Sequence, residues 1–106
     1  MLRQTLILSA FASCLAATEA MATDVTITQE DKAFSQTEVT INAGESITFM
    51  NNDSTTHNVY SRSAGNQFDS GAQGPNESIT QVFSSSGTVK VRCAIHPRMK
   101  LTVNVE

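Results

Sequence analysis

Beyond about residue 24, apolar and polar residues alternate along most of this chain. Val25 and Ile27, Val39 and Ile41, Ile47 and Phe49, Val89 and Val91, and then Leu101, Val103 and Val105 stand two apart with polar residues between them. A period of two sends one side of an extended segment into a core and the other into water, so each set predicts a half-buried strand. His57-Asn58-Val59-Tyr60 and the run Ile79 to Phe83 supply the remaining strands. Turn chemistry separates them at Asn42-Ala43-Gly44, at Asn51-Asn52-Asp53, from Gly71 through Asn76 with Pro75 inside, and at Ser84-Ser85-Ser86-Gly87. Nowhere is helical spacing sustained. About seven to eight short strands at this spacing predict an all-β domain of two packed antiparallel sheets, a sandwich or flattened barrel. The segment from Arg62 to Gly74 reads as a long loop.

The start of the chain follows a different pattern. Arg3 precedes an apolar run from Leu6 to Ala17, and Ala20-Met21-Ala22 has the form of a cleavage site. This predicts a secretory signal over residues 1–22, cut near Ala22, and a single domain over 23–106 delivered to the periplasm. A membrane anchor needs about 20 apolar residues, more than this run holds. Acylation at Cys14 is disfavoured because the apolar run continues past it. The net charge of −3 and the absence of any Lys/Arg run exclude nucleic acid and anionic membrane as expected partners.

Charge and size sharpen the question of what stabilises the domain. An exported domain this small buries a thin core and commonly carries a disulfide. Here only Cys14 and Cys93 exist, and Cys14 leaves with the signal, so Cys93 enters an oxidising compartment unpaired. It is a buried inert thiol, a metal ligand, or a link to another chain. Val89, Val91 and Cys93 share one strand face, and Pro97 stops further pairing, so His96 and Met99 fall on a short loop that can turn back toward the Cys93 sulfur. His57 opens a strand after the polar loop Asn51 to Thr56, which brings two loops to one end of the sandwich. A thiolate, two imidazoles and a thioether suit copper better than magnesium, calcium or manganese. Zinc sites rarely use a thioether. Taken singly, a small-domain Cys is usually core, a His beside Asn a strand end, and a Met near a terminus filler. Their coincidence at C-x₂-H-x₂-M, with both histidines of the chain involved, favours the metal.

The motif C-A-I-H-P-R-M after an alternating strand, with N-N-D-S-T-T-H-N upstream, resembles the cupredoxins, the small type 1 blue-copper proteins, and among them the amicyanin and plastocyanin-like group. The resemblance implies an eight-stranded Greek-key β-sandwich and one copper cycling between Cu(I) and Cu(II). It implies that His57, Cys93 and His96 are the strong ligands and Met99 the weak axial one. Asn58 matches the residue whose side chain ties the two ligand loops together. Ile95 replaces a proline of the amicyanin loop, while Arg98 and Lys100 add positive charge beside the site. The expected role is a one-electron carrier, a monomer and not an enzyme, whose redox protein partners dock near His96, Ile95 and Pro97. The alternative is a copper-binding protein for periplasmic copper tolerance or buffering. Such a buffer would more often carry extra Met or His clusters, and beyond the exported segment only Met50 and Met99 remain.

Overall fold

A computed structural model describes residues 24–106. The expected signal segment, residues 1–22, lies outside the described residues. The strands run β1 (Asp24–Glu30), β2 (Ala33–Phe34), β3 (Glu38–Ile41), β4 (Ser46–Asn51), β5 (His57–Ser61), β6 (Phe68–Gln73), β7 (Ser78–Val82), β8 (Gly87–Arg92) and β9 (Lys100–Val105). They form two sheets, ordered β2-β1-β4-β7 and β3-β9-β8-β5-β6. Between the sheets lie the residues that the alternation marked as inward, among them Ile27, Ile41, Ile47, Phe49, Val89, Val91, Leu101 and Val103, all buried.

Three features differ from the sequence expectation. The sheets are mixed rather than antiparallel: β1 pairs parallel with β4, and β3 pairs parallel with β9. Alternation reports which face is buried and is blind to the direction of the neighbouring strand. The added strand β2 is only two residues long and follows a turn in which Asp31 and Lys32 both take positive φ, 56° and 55°. That geometry matches a tight hairpin turn, but no glycine announces it in the sequence.

The third difference concerns the segment from Arg62 to Gly74, which is not all loop. Its second half is β6, an edge strand paired antiparallel with β5 through an irregular register between Asn58 and Tyr60. Asp69, Ser70 and Gly71 hide the strand from any hydrophobic pattern. Tertiary packing holds it: Phe68 lies 6.3 Å from Phe49 and 5.7 Å from Phe83, ring centre to ring centre. A buried amide pair, Gln29 Nε2 donating to Gln73 Oε1 at 2.8 Å, joins β1 of one sheet to β6 of the other. This clip sits directly behind the start of β5, because Gln73 is the register partner of His57.

Candidate metal centre

One wall of the site is built by the loop 51–56. Its geometry comes from the Asn51 side chain, whose Oδ1 accepts from the Asp53 amide (2.8 Å) and whose Nδ2 donates to the carbonyls of Thr55 (2.9 Å) and Gln73 (3.0 Å). The loop therefore closes on itself and on β6, and it delivers the Asp53 carboxylate to the first residue of β5. Asp53 Oδ2 lies 2.7 Å from His57 Nε2 and also accepts from the Lys32 amide at 2.9 Å. The Lys32 amide first, and His57 after it, draw the Asp53 carboxyl from 3.8 down to about 2. An ionised carboxylate can only accept, so it places the imidazole proton on Nε2 and leaves Nδ1 of a neutral ring with a free lone pair.

The other wall begins where β8 ends. Cys93 is buried, and its Sγ accepts from the Asn58 amide at 3.3 Å. Asn58 also reaches across with its side chain: Oδ1 accepts from the Ala94 amide (3.2 Å), while Nδ2 donates to Asp69 Oδ1 (2.8 Å) and to the Gly71 carbonyl (3.2 Å). One residue thus fixes β5, β6 and the Cys93 loop to each other, as the resemblance implied. Pro97 lies inside a turn closed by the Met99 amide donating to the His96 carbonyl at 3.0 Å. Met99 at its end is buried in the same apolar cluster as Cys93.

The two walls bring three donor atoms together. His57 Nδ1 and His96 Nδ1 are 3.0 Å apart, and each is 3.9 Å from Cys93 Sγ. A point in that plane about 2.0 Å from both nitrogens lies about 2.3 Å from the sulfur, and these are ordinary lengths for imidazole and thiolate bonds to a first-row metal ion such as zinc. The triangle is thus open enough for one ion and too small for two. Because bond lengths do not separate copper from zinc, the donor chemistry decides: two imidazoles and one thiolate in a plane, with a thioether residue buried nearby, fit a type 1 copper.

Of the four residues expected at the metal, His57, Cys93 and His96 converge, and Met99 occupies the buried end of the same loop. Asp53 was missed. It stands four residues before His57 in a polar loop whose sequence looks like turn material, and only the D-x₃-H spacing hinted at a partner. Lys32 was missed altogether because its contribution is a backbone amide from a distant turn.

Residues 21–106 match the family described as copper binding proteins, plastocyanin/azurin family. Among solved structures, the copper(I) form of a methionine-to-alanine mutant of amicyanin superposes with a TM-score of 0.72 at 19% identity, covering 77% of this chain and 81% of its own. A purple cupredoxin from Nitrosopumilus maritimus gives a TM-score of 0.69 at 23% identity, covering 77% of this chain and 99% of its own. A second amicyanin mutant, in its reduced Cu(I) form, gives 0.73 at 20% identity over 83% of this chain and 87% of its own. No curated protein matches the chain. The identities are low enough that these structures speak for the fold alone. The family match spans all of the described sandwich and its soft-donor triangle, and by it this chain belongs to the plastocyanin/azurin family of copper-binding proteins, the cupredoxins.

Proposed function

We propose that this protein is a monomeric, periplasmic one-electron carrier that holds a single copper ion through His57 Nδ1, Cys93 Sγ and His96 Nδ1, with Met99 as weak axial ligand. The observation that carries the reading is the 3.0, 3.9 and 3.9 Å donor triangle. Copper bound there supplies a couple that accepts and returns one electron without a proton. The chain's own residues make that exchange easy. Asp53 and Asn58 hold His57 and Cys93 in place before any ion arrives, so little has to move when the charge changes. The buried side chains around Cys93 and Met99 exclude water from the sulfur.

His96 provides the way out. It is only partly buried and stands beside Ile95, which is 50% exposed, and Pro97. These residues border a shallow cleft of about 400 Å³ with Asp31, Lys32 and Arg98. The apolar Ile95 and Pro97 beside an accessible ligand edge suit brief docking of a redox protein. It is less suited to a copper store: the chain has two histidines in total, and both belong to this one site.

The protein recovered from the periplasm should begin at Thr23, bind one Cu(II), and show an intense visible thiolate-to-copper band that Cys93→Ser abolishes. Colourless protein after copper addition, or two tight sites per chain, would overturn the assignment. An N-terminal sequence starting at Met1 would overturn the signal segment alone.

A further inference from the structure

Strands β5 and β6 do not pair evenly beside the sulfur. Asn58 is opposite Ala72 and Tyr60 is opposite Asp69, so the single residue Val59 of β5 faces two residues of β6, Ser70 and Gly71. Such a bulge bends the strand that carries the extra residue and re-aims its side chains. Two features shape it here. Gly71 takes φ 71°, a conformation open to glycine at no steric cost, and Ser70 Oγ accepts from the Val59 amide at 3.0 Å. A Cβ on Gly71 would meet nothing within 4 Å, so the glycine serves a backbone angle and not a close approach.

The bulge makes a cradle for one amide group. Asn58 Nδ2 has two protons to give, and the cradle takes both: Asp69 Oδ1 accepts at 2.8 Å and the Gly71 carbonyl at 3.2 Å. The same Asp69 oxygen accepts from the Gly71 amide at 2.8 Å. The Gly71 amide first, and Asn58 after it, draw the Asp69 carboxyl below its usual range, so at neutral pH it is ionised and can only accept. Among the described residues no cation meets Asp69 at ion-pair distance, and the Arg62 guanidinium lies instead 5.2 Å from the centre of the Tyr60 ring. A surface ion pair therefore does not account for this carboxylate.

Its position decides which way the Asn58 amide faces. With the NH2 group in the cradle, Oδ1 is turned to the Ala94 amide and accepts from it at 3.2 Å. With the group reversed, Oδ1 would meet a carboxylate and a carbonyl, and Nδ2 would meet the Ala94 N–H, donor against donor. We propose that Asp69 is a positioning residue for the metal centre: it fixes the orientation of the Asn58 amide, and through it the Cys93–Ala94 peptide and the direction of Cys93 Sγ. Asp53 selects a tautomer and Asp69 an amide orientation by one rule, that a carboxylate accepts and does not donate. The effect on the metal rests on the copper assignment above, whereas the orientation is a property of the chain alone.

Two variants test this. Asp69→Ala removes the acceptor, and Asp69→Asn keeps an Oδ1 for the same two donors without the charge. Asp69 is exposed, so neither leaves a buried hole. Ala94 is exposed as well, so its amide is protected by the bond to Asn58. In the metal-free protein that amide should exchange with deuterium roughly tenfold faster in Asp69→Ala, the worth of one ordinary hydrogen bond, and near the wild-type rate in Asp69→Asn. With copper loaded, Asp69→Ala should bind the ion roughly tenfold more weakly in competition titration, the low end for groups that support metal ligands, and its visible band should shift; Asp69→Asn should keep both. An unchanged Ala94 exchange rate in Asp69→Ala would overturn the proposal, even with a lowered melting temperature, and would reduce Asp69 to a strand-edge contact. Asp69→Asn behaving like Asp69→Ala would overturn the acceptor role in favour of charge acting through space. A wild-type protein that stays colourless with copper, while Ala94 still responds to Asp69→Ala, would sink the copper assignment and leave the orientation standing.

Discussion

The two histidines that meet at 3.0 Å are supported in opposite ways. His57 is fully buried, opens a strand, and has its far nitrogen clamped by Asp53, which is itself tied to Lys32 and shaped by Asn51. His96 is partly exposed on a short turn, and among the described residues its far nitrogen has no hydrogen-bond partner. The first is held by elements up to a sheet away, the second by its own loop. The contrast teaches how a site can be rigid and accessible at once: rigidity is supplied from the sandwich side and access from the loop side, so neither requirement weakens the other.

The largest effect should come from removing each ring in turn. His57→Ala leaves a buried hole and takes a hydrogen-bond partner from Asp53, so the metal-free protein should lose about 2–4 kcal/mol in denaturant unfolding. His96→Ala should stay within about 0.5 kcal/mol of wild type, as exposed positions do. Equal losses would erase the distinction between the walls.

Next comes the clamp itself. Asp53→Asn keeps the shape but can present its amide nitrogen to the ring, so the His57 tautomer is no longer fixed; copper affinity should fall roughly 10–100-fold by competition titration. The same residue gives a pH signature in the metal-free protein. Its carboxyl is lowered in the folded state to about 2 from 3.8, so its contribution is complete above the ordinary value and is lost as pH falls toward the folded one. The gap in melting temperature between wild type and Asp53→Asn should therefore narrow between pH 3.8 and about 2. A constant gap would show that Asp53 acts only through shape.

Asn58→Ala tests the seam between the walls. It removes the bonds to Ala94, Asp69 and Gly71 but leaves the amide that donates to Cys93 Sγ. Copper affinity should fall within the same range of roughly 10–100-fold, and the visible band should shift as the sulfur gains freedom. An unchanged affinity and melting curve would remove Asn58 from the site's support. The smallest change is expected from Met99→Leu: a side chain of similar volume keeps the core packed, so the protein should keep its copper and its band while its reduction potential moves. Complete loss of copper would mean that Met99 is more than a weak axial ligand.

Much of this was legible from local pattern. The alternation located the inward residues of five strands because burial on one face imposes a period of two whatever lies across the sheet. Cys93, His96 and Met99 were legible because their spacing lies within one loop, and His57 because it was the only other histidine. What stayed hidden depended on partners far away in sequence. β6 is polar along much of its length and becomes a strand through Phe68 packing on Phe49 and Phe83, together with the Gln29 to Gln73 bond.

By itself the sequence determined that the chain alternates as a sandwich and that its soft donors are few and close enough to share one ion, since period and ligand chemistry are properties of residues and their spacing. Tertiary structure decided that β1 and β3 pair in parallel, that Asp53 and the Lys32 amide stand behind His57, and that Arg92 of β8 stands beside Lys100 of β9. Each of those depends on which strands become neighbours, and that is settled by the packing of the whole core rather than by any segment of it.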